Sequence, residues 1–276
     1  MDSAEAFLYA LFLVMLFFVW VRVRIEFLNN KKSGLKIHGI AKSMTIGSRE
    51  LQEDAVDFAV KDEGFMLVLA DGMGREYAGR ISSNLAVGTF KSFFQSMNVW
   101  EKPQYYFQQS FSMANQKILN ELDDQYGGAA VAVALVRGNK LWYALAGNVQ
   151  IAIFRDGDLI SITNGHTIGA LAMDKWRKGS ISRSDALRVH ENKRIYNYLG
   201  QDGFKDIESM DEVELKAGDS IILMSDGVYD CLRWRDIEDC LKYSKTVDDT
   251  VYKIVELVND NDGHDKDNAS VVLARL

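Results

Sequence analysis

The chain has 276 residues, 47% hydrophobic and 26% charged, enough for one large globular domain or two small ones. Its formal net charge of −7 gives no electrostatic case for a nucleic-acid partner, whose binders carry a basic surplus. A single proline, Pro103, and the lack of Ser/Gly-rich tracts argue against long linkers, and Cys231 and Cys240, without CxxC spacing or a nearby histidine, read as free thiols on one helix rather than a disulfide or a zinc site.

Ala6 to Val21 is apolar throughout. At about 1.5 Å per residue it spans about 24 Å, short of a hydrocarbon core of about 30 Å, and Val23 and Ile25 extend it if Arg22 and Arg24 reach back to the headgroups. Three readings compete. A core helix is disfavoured because the run is apolar on every face. A cleaved signal peptide is disfavoured by the acidic start, Met1 to Glu5, and by the lack of a small-residue cleavage site. A membrane anchor is preferred. Arg22, Arg24, Lys31, Lys32 and Lys36 follow the run and no basic residue precedes it. The expectation is therefore a single-pass membrane protein, with an anchor over 1–28, a tether over 29–36 and a cytoplasmic domain over 37–276.

Within that domain, Ala55 to Val60 alternates and Met66 to Ala70 is continuously apolar, which predicts a half-buried and a fully buried strand. The second is expected to stop at Asp71, with Gly72-Met73-Gly74 forming a tight turn. Ile81 to Phe94 and Tyr106 to Leu122 have helical spacing. Ala129 to Val136, Lys140 to Ala146, Gln150 to Phe154 and Leu159 to Thr163 read as strands joined by hairpins at Arg137-Gly138-Asn139 and Arg155-Asp156-Gly157-Asp158. Ile168 to Tyr198 is polar and weakly periodic, a surface excursion without a clear element. Val213 to Leu215 and Ser220 to Ser225 are strands, Arg235 to Leu241 and Val247 to Val258 amphipathic helices, and Ala269 to Leu276 a closing strand. This order is not the alternation of a parallel sheet; antiparallel sheets carrying helices on their outer faces fit it.

Two buried strands each run into Asp-Gly, at Asp71-Gly72 and Asp226-Gly227. Either alone is an ordinary turn. Together with Glu53, Asp54 and Asp267 they suggest carboxylates converging on hard divalent cations, Mg²⁺ or Mn²⁺. The Gly72 carbonyl is a further natural ligand. Two such cations, sharing Asp71, would activate water for attack on phosphorus. Arg49, five residues before Asp54, can offer a guanidinium fork to phosphate oxygens. Asp260-Asn261-Asp262-Gly263-His264-Asp265 is not a calcium loop: with Gly263 in the sixth position, the first and twelfth fall on Val258 and Ala269. His38, His166 and His190 lack ligand spacing and read as structural or surface residues.

Arg49-x-x-Gln52-Glu53-Asp54, Ala70-Asp71-Gly72-Met73-Gly74, Leu223-Met224-Ser225-Asp226-Gly227 and Asp267-Asn268-Ala269-Ser270-Val271-Val272 resemble, in order and spacing, the motifs of the metal-dependent serine/threonine protein phosphatases of type 2C (PPM), in particular bacterial, membrane-anchored members. Ala146-Gly147-Asn148, Leu159 to Thr163 with His166, and Asn197 to Gly200 are secondary matches, and the likeness runs from about Lys42 to Leu276. The resemblance implies an α+β fold, an α-β-β-α sandwich of two antiparallel sheets flanked by helix pairs, after the N-terminal transmembrane helix. It implies two divalent cations, Mn²⁺ or Mg²⁺, held by Asp54, Asp71, Gly72 through its carbonyl, Asp226 and Asp267. Glu53 would hold water near them, Arg49 would bind substrate phosphate, and Ile168 to Tyr198 would be a flap beside the cleft. The implied partners are phosphorylated proteins and a cognate Ser/Thr kinase system, at the cytoplasmic face of a membrane.

Three departures bear on this. Arg75 replaces a glycine of the family pattern, Gly128-Ala129-Ala130 replaces Gly-Thr-Thr, and Gly147-Asn148 replaces Gly-Asp, whose aspartate is associated with a third, weaker metal. An amide is a poorer ligand than a carboxylate for a hard dication. The rival functions are a pseudophosphatase retained as a binding module and a phosphatase for a small phosphorylated metabolite.

Overall fold

In the computed structural model, which describes residues 15, 17, 18, 20–22, 35–62, 64–123, 125–204, 206–263 and 265–276, ten strands form two five-stranded antiparallel sheets. The strands are β1 (Gly39–Thr45), β2 (Ala55–Lys61), β3 (Gly64–Gly74), β4 (Gly127–Arg137), β5 (Lys140–Ala146), β6 (Gln150–Arg155), β7 (Asp158–Ser161), β8 (Glu208–Glu214), β9 (Ser220–Met224) and β10 (Ala269–Arg275). One sheet has the order β1-β10-β9-β6-β7 and the other β2-β3-β4-β5-β8. β10 lies against β2 and β3, and β3 against β9, so the sheets stack.

Each sheet buries its other face under helices. Met66, Val68 and Ala70 of β3 and Val131, Val133 and Leu135 of β4 pack with Phe90 and Phe94 of α1 (Ala78–Ser96) and Phe107 and Phe111 of α2 (Pro103–Leu122). Ile222 and Met224 of β9 and Val271 and Leu273 of β10 pack with Ile237 of α6 (Trp234–Tyr243) and with Val251, Ile254 and Val258 of α7 (Val247–Asp260). The alternate residues of the same strands, Leu67, Leu69, Ile221, Leu223 and Val272, are equally buried. Burial on both faces is why β3 and β9 read as unbroken apolar runs rather than alternating ones. Each large side chain so buried contributes about 1.5–3 kcal/mol. The expected α-β-β-α layering is present in Lys36–Leu276, which forms a compact unit distinct from the described residues before it.

Four expectations need correction. Among the described residues no helix is long and apolar enough to cross a membrane, which overturns the single-pass membrane placement; most of the Ala6–Val21 run behind it lies outside the described residues. Gly72-Met73-Gly74 is not a turn: β3 continues through it, paired with Gly127 to Ala129 of β4. The glycine at 72 is required by close approach, since a Cβ there would stand 2.3 Å from the Gly79 carbonyl oxygen and 2.4 Å from that of Glu53. The excursion contains two short helices, α3 (Ile168–Arg177) and α4 (Arg183–Val189), capped by the Thr167 and Ser182 side chains. Cys231 and Cys240, both free thiols, do not share a helix, because Cys231 precedes α6.

Candidate active site

Asp54, Asp71 and Asp226 meet at one end of the sandwich, and each is brought there by a different local device. Asp54 directly precedes β2, with its backbone N–H donating to the Gln52 side-chain oxygen at 3.1 Å. Asp71 sits within β3 opposite Ala130 of β4. Asp226 opens the one-turn helix α5 (Asp226–Tyr229), so the second Asp-Gly is a helix start rather than a copy of the first. Asp267 lies in the loop two residues before β10 and is exposed.

Hydrogen bonds fix the inner carboxylates. The Ser225 hydroxyl donates to Asp54 at 2.9 Å and accepts from the Ser270 backbone N–H at 2.9 Å. The Asn148 side-chain N–H donates to Asp226 at 2.9 Å, and Tyr229 donates its hydroxyl to the Asn148 carbonyl at 2.7 Å. Asn148 is aimed by Gly147, whose φ of +106° favours glycine and whose missing Cβ would lie 2.2 Å from the Ala130 Cβ. His166 is structural here, accepting from the Gly147 N–H at its Nδ1. Asn268 ties the outer loop to the inner one, accepting from the Glu53 N–H at 2.7 Å and donating to the Ile46 and Leu51 carbonyls, both at 2.9 Å.

The electrostatics are those of crowded acids. Burial, first, and then the neighbouring Asp226 and Asp267 push the Asp54 carboxyl up to about 7, against the donation from Ser225. Burial and the charges of Asp226, Asp54 and Asp267 hold Asp71 well above the ordinary carboxylate range. Asp226 is raised by burial, Asp267 and Asp230, and lowered in part by its bonds to Asp71 and Asn148. Burial likewise raises Glu53.

Arg49 is not free to receive a phosphate. Its guanidinium forks onto Asp267, with Nε to Oδ1 at 3.0 Å and Nη2 to Oδ2 at 3.1 Å. Both residues border a cavity of about 350 Å³ that is also lined by Asp226, Asp230, Cys231 and Lys266. Arg75 is exposed and lines neither this cavity nor the carboxylate group. Among the described residues, no three His, Cys, Asp or Glu side chains stand close enough to hold one cation, with Asp267 drawn to Arg49 and Asp54 to Ser225. The donor chemistry nevertheless fits hard divalent cations: the group is all oxygen, and the buried acceptors Glu53 Oε1 and Asn148 Oδ1 have no donor among the described residues. Ser225, Tyr229 and Asn268 as organisers of the site escaped the sequence reasoning. Their only signal was position beside the Asp-Gly and Asp-Asn motifs.

The family model described as Protein phosphatase 2C matches residues 43–266. The chain belongs to the protein phosphatase 2C family. As a family member it is a protein-serine/threonine phosphatase. Protein phosphatase PhpP of Streptococcus pneumoniae is 27% identical over 238 residues, covering 83% of this chain and 93% of the relative. The solved serine/threonine phosphatase of S. agalactiae superposes with a TM-score of 0.75 at 24% identity, over 86% of this chain and 98% of that one. The catalytic domain of serine/threonine protein phosphatase PstP, solved in complex with two manganese ions, gives 0.67 at 24% identity, over 87% and 98%. This phosphatase shares with those structures the stacked antiparallel sheets.

Proposed function

We propose that residues 37–276 hydrolyse phosphoserine and phosphothreonine in proteins with the help of two divalent cations, Mn²⁺ or Mg²⁺. The observation that carries this is the convergence of Asp54, Asp71 and Asp226, with Asp267 in electrostatic range, in a partly buried group that no lysine or arginine among the described residues neutralises at its inner end. Asp54, Asp71, the Gly72 carbonyl, Asp226 and Asp267 would hold the ions. Bound there, divalent cations offset the carboxylate charge and lower the pKa of water, which supplies the nucleophile.

The chain's own residues then orient and hold. Asn148 fixes the Asp226 carboxylate through its amide, and Ser225 fixes Asp54. Glu53, with one buried oxygen lacking a donor among the described residues, would accept a hydrogen bond from water. Arg49 exchanges the Asp267 carboxylate for two oxygens of the substrate phosphate, the same fork serving either anion. The phosphoprotein substrate class draws support from relatives named serine/threonine phosphatase and protein phosphatase, and a cognate Ser/Thr kinase system is the partner that such a substrate would require. No observation favours the pseudophosphatase: Asn148 has a positive role at Asp226, and Ala129 and Ala130 pack fully buried in β4.

The test is release of phosphate from a phosphothreonine peptide by the full chain, with Mn²⁺ and with excess chelator. Turnover in Mn²⁺ and none in chelator is expected. Equal turnover in both, or none in either, overturns the reading.

A further inference from the structure

The excursion beside the site is basic in an acidic chain. From Ile168 to Tyr198 there are seven Lys/Arg against three Asp/Glu, while the whole chain carries a net −7. It is clamped at its base, where Thr167 bridges Ile195, the Tyr196 N–H donates to the His166 carbonyl at 3.0 Å, and the His166 N–H donates to the Gly147 carbonyl at 2.7 Å. Gly147 in turn precedes Asn148, the residue bonded to Asp226. A second tie is the ion pair of Lys193 with Asp230 at 2.7 Å. Asp230 borders the cavity that holds Arg49, Asp226 and Asp267. The Lys193 end of the basic segment therefore stands at the rim of this cavity.

Several of its charges are already matched. Lys178 pairs with Asp174, Arg188 with Asp185, and Arg183 lies over the Trp176 ring. Lys175, Arg177 and Arg194 are exposed, and none has an ion-pair partner among the described residues. Lys175 and Arg177 lie in the last turn of α3, where the helix dipole favours cations. That local preference does not extend to Arg194, which lies on no helix and whose carbonyl accepts from the Ile168 N–H at the start of α3. The three cations thus mark the two ends of a helix about 15 Å long, a distance crossed by about five residues of extended peptide.

We propose that this surface docks acidic residues flanking the phosphorylated serine or threonine, so that the preferred substrates are phosphoproteins whose phosphosite lies in an acidic sequence. The inference rests on the phosphatase reading above. An anionic lipid surface presents similar charge, but the attachment of the segment at the cleft rim through Lys193 and Asp230 favours a chain that also delivers its phosphate to the cleft.

The test compares two phosphothreonine peptides of equal length, one with Asp/Glu flanks and one with Gly/Ala flanks, turned over by the full chain in Mn²⁺. The ratio of their kcat/KM values is the readout, because it cancels any general loss of activity. The wild type is expected to prefer the acidic peptide by about tenfold at low ionic strength, less at high salt. The triple variant Lys175→Glu, Arg177→Glu, Arg194→Glu should bring the ratio to about one or below, and the corresponding triple Gln variant should fall between. A wild-type ratio near one, or a ratio unmoved by charge reversal, overturns the proposal. If the wild type turns over neither peptide, the phosphatase reading fails by itself. Fluorescence anisotropy with the unphosphorylated acidic peptide then decides the docking: binding abolished by charge reversal upholds it, and no wild-type binding overturns it. Cosedimentation with phosphatidylserine vesicles that is lost on charge reversal, with peptide selectivity unchanged, would assign the surface to lipid instead.

Discussion

Asp226 and Asp267 border the same cavity, yet their charges are met in different ways. At the inner end, Asp226, Asp71 and Asp54 are held by Asn148, by Ser225 and by one another, and no lysine or arginine among the described residues pairs with them. Their protons are bound tightly because burial and mutual repulsion penalise the charged forms. At the outer end Asp267, half-exposed, is matched by the Arg49 fork. An exposed pair of this kind is worth about 0–1 kcal/mol, so opening it costs little. The inner end calls for positive charge from outside, whereas the outer end carries its own and can exchange it for a phosphate.

Removing an inner carboxylate should have the largest effect. Asp226→Asn is expected to lower the rate on a phosphothreonine peptide by at least about a hundredfold, since activation of water by a metal supplies several kcal/mol. The same change should leave the melting temperature in chelator equal or higher, because one of the crowded charges is gone. Near-normal turnover would break the comparison at its inner end.

Next comes the amide that bridges to Asp226. Asn148→Asp replaces a donor with a like charge facing the Asp226 carboxylate. We expect a loss of about 2 kcal/mol in chelator, a fall of about 5 °C in melting temperature, largely recovered in millimolar Mn²⁺. An unchanged melting temperature in chelator would remove Asn148 from the support of Asp226.

The outer end should respond in the opposite pattern. Arg49→Ala is expected to raise KM for the phosphopeptide about tenfold while moving the melting temperature by no more than about 2 °C. A stability loss well beyond that, with KM unchanged, would make the Arg49–Asp267 pair structural rather than exchangeable.

Much of this was legible in the sequence, and the parts that were not share a cause. The unbroken apolar runs of β3 and β9 and the helical spacing of α1, α2 and α7 announced the layers, because burial leaves a periodic mark on the chain. Asp71 and Asp226 were legible because each follows an apolar run, where a carboxylate is costly unless used, and Asp54 through its place in the Arg49-x-x-Gln52-Glu53-Asp54 motif. The Gly72 turn was misread, since a glycine required by a neighbouring backbone looks the same in sequence as one required by a bend. Ser225, Asn148 and Asn268 act through partners tens to hundreds of residues away, and a polar residue carries no local sign of such a bond. The helices α3 and α4 were missed because each buries few side chains, Gly169 and Ala172 in one and Ala186 in the other, too few to set a period.

A compensated carboxylate that does not line the Arg49 cavity gives the smallest effect and serves as a control. Burial pushes Asp57 up, but hydrogen bonds from Lys91 at 2.6 Å and Lys42 at 2.9 Å outweigh it and hold the carboxyl below its ordinary range. A folded value below the unfolded one contributes stability above the unfolded pKa of about 3.9, and that stability is lost as pH falls through the folded value. Asp57→Asn should therefore cost about 1 kcal/mol at pH 7 and almost nothing near pH 2, by denaturant titration at both. A pH-independent cost would mean that packing, not charge, is what Asp57 supplies.

The central claim is that the inner carboxylates are compensated by divalent cations. Calorimetric titration of the chelator-treated full chain with Mn²⁺ tests it most directly and does not depend on turnover. The account predicts saturable binding of two ions per chain, with tight binding lost in Asp71→Asn; absence of saturable binding, or binding unchanged in that variant, would contradict it.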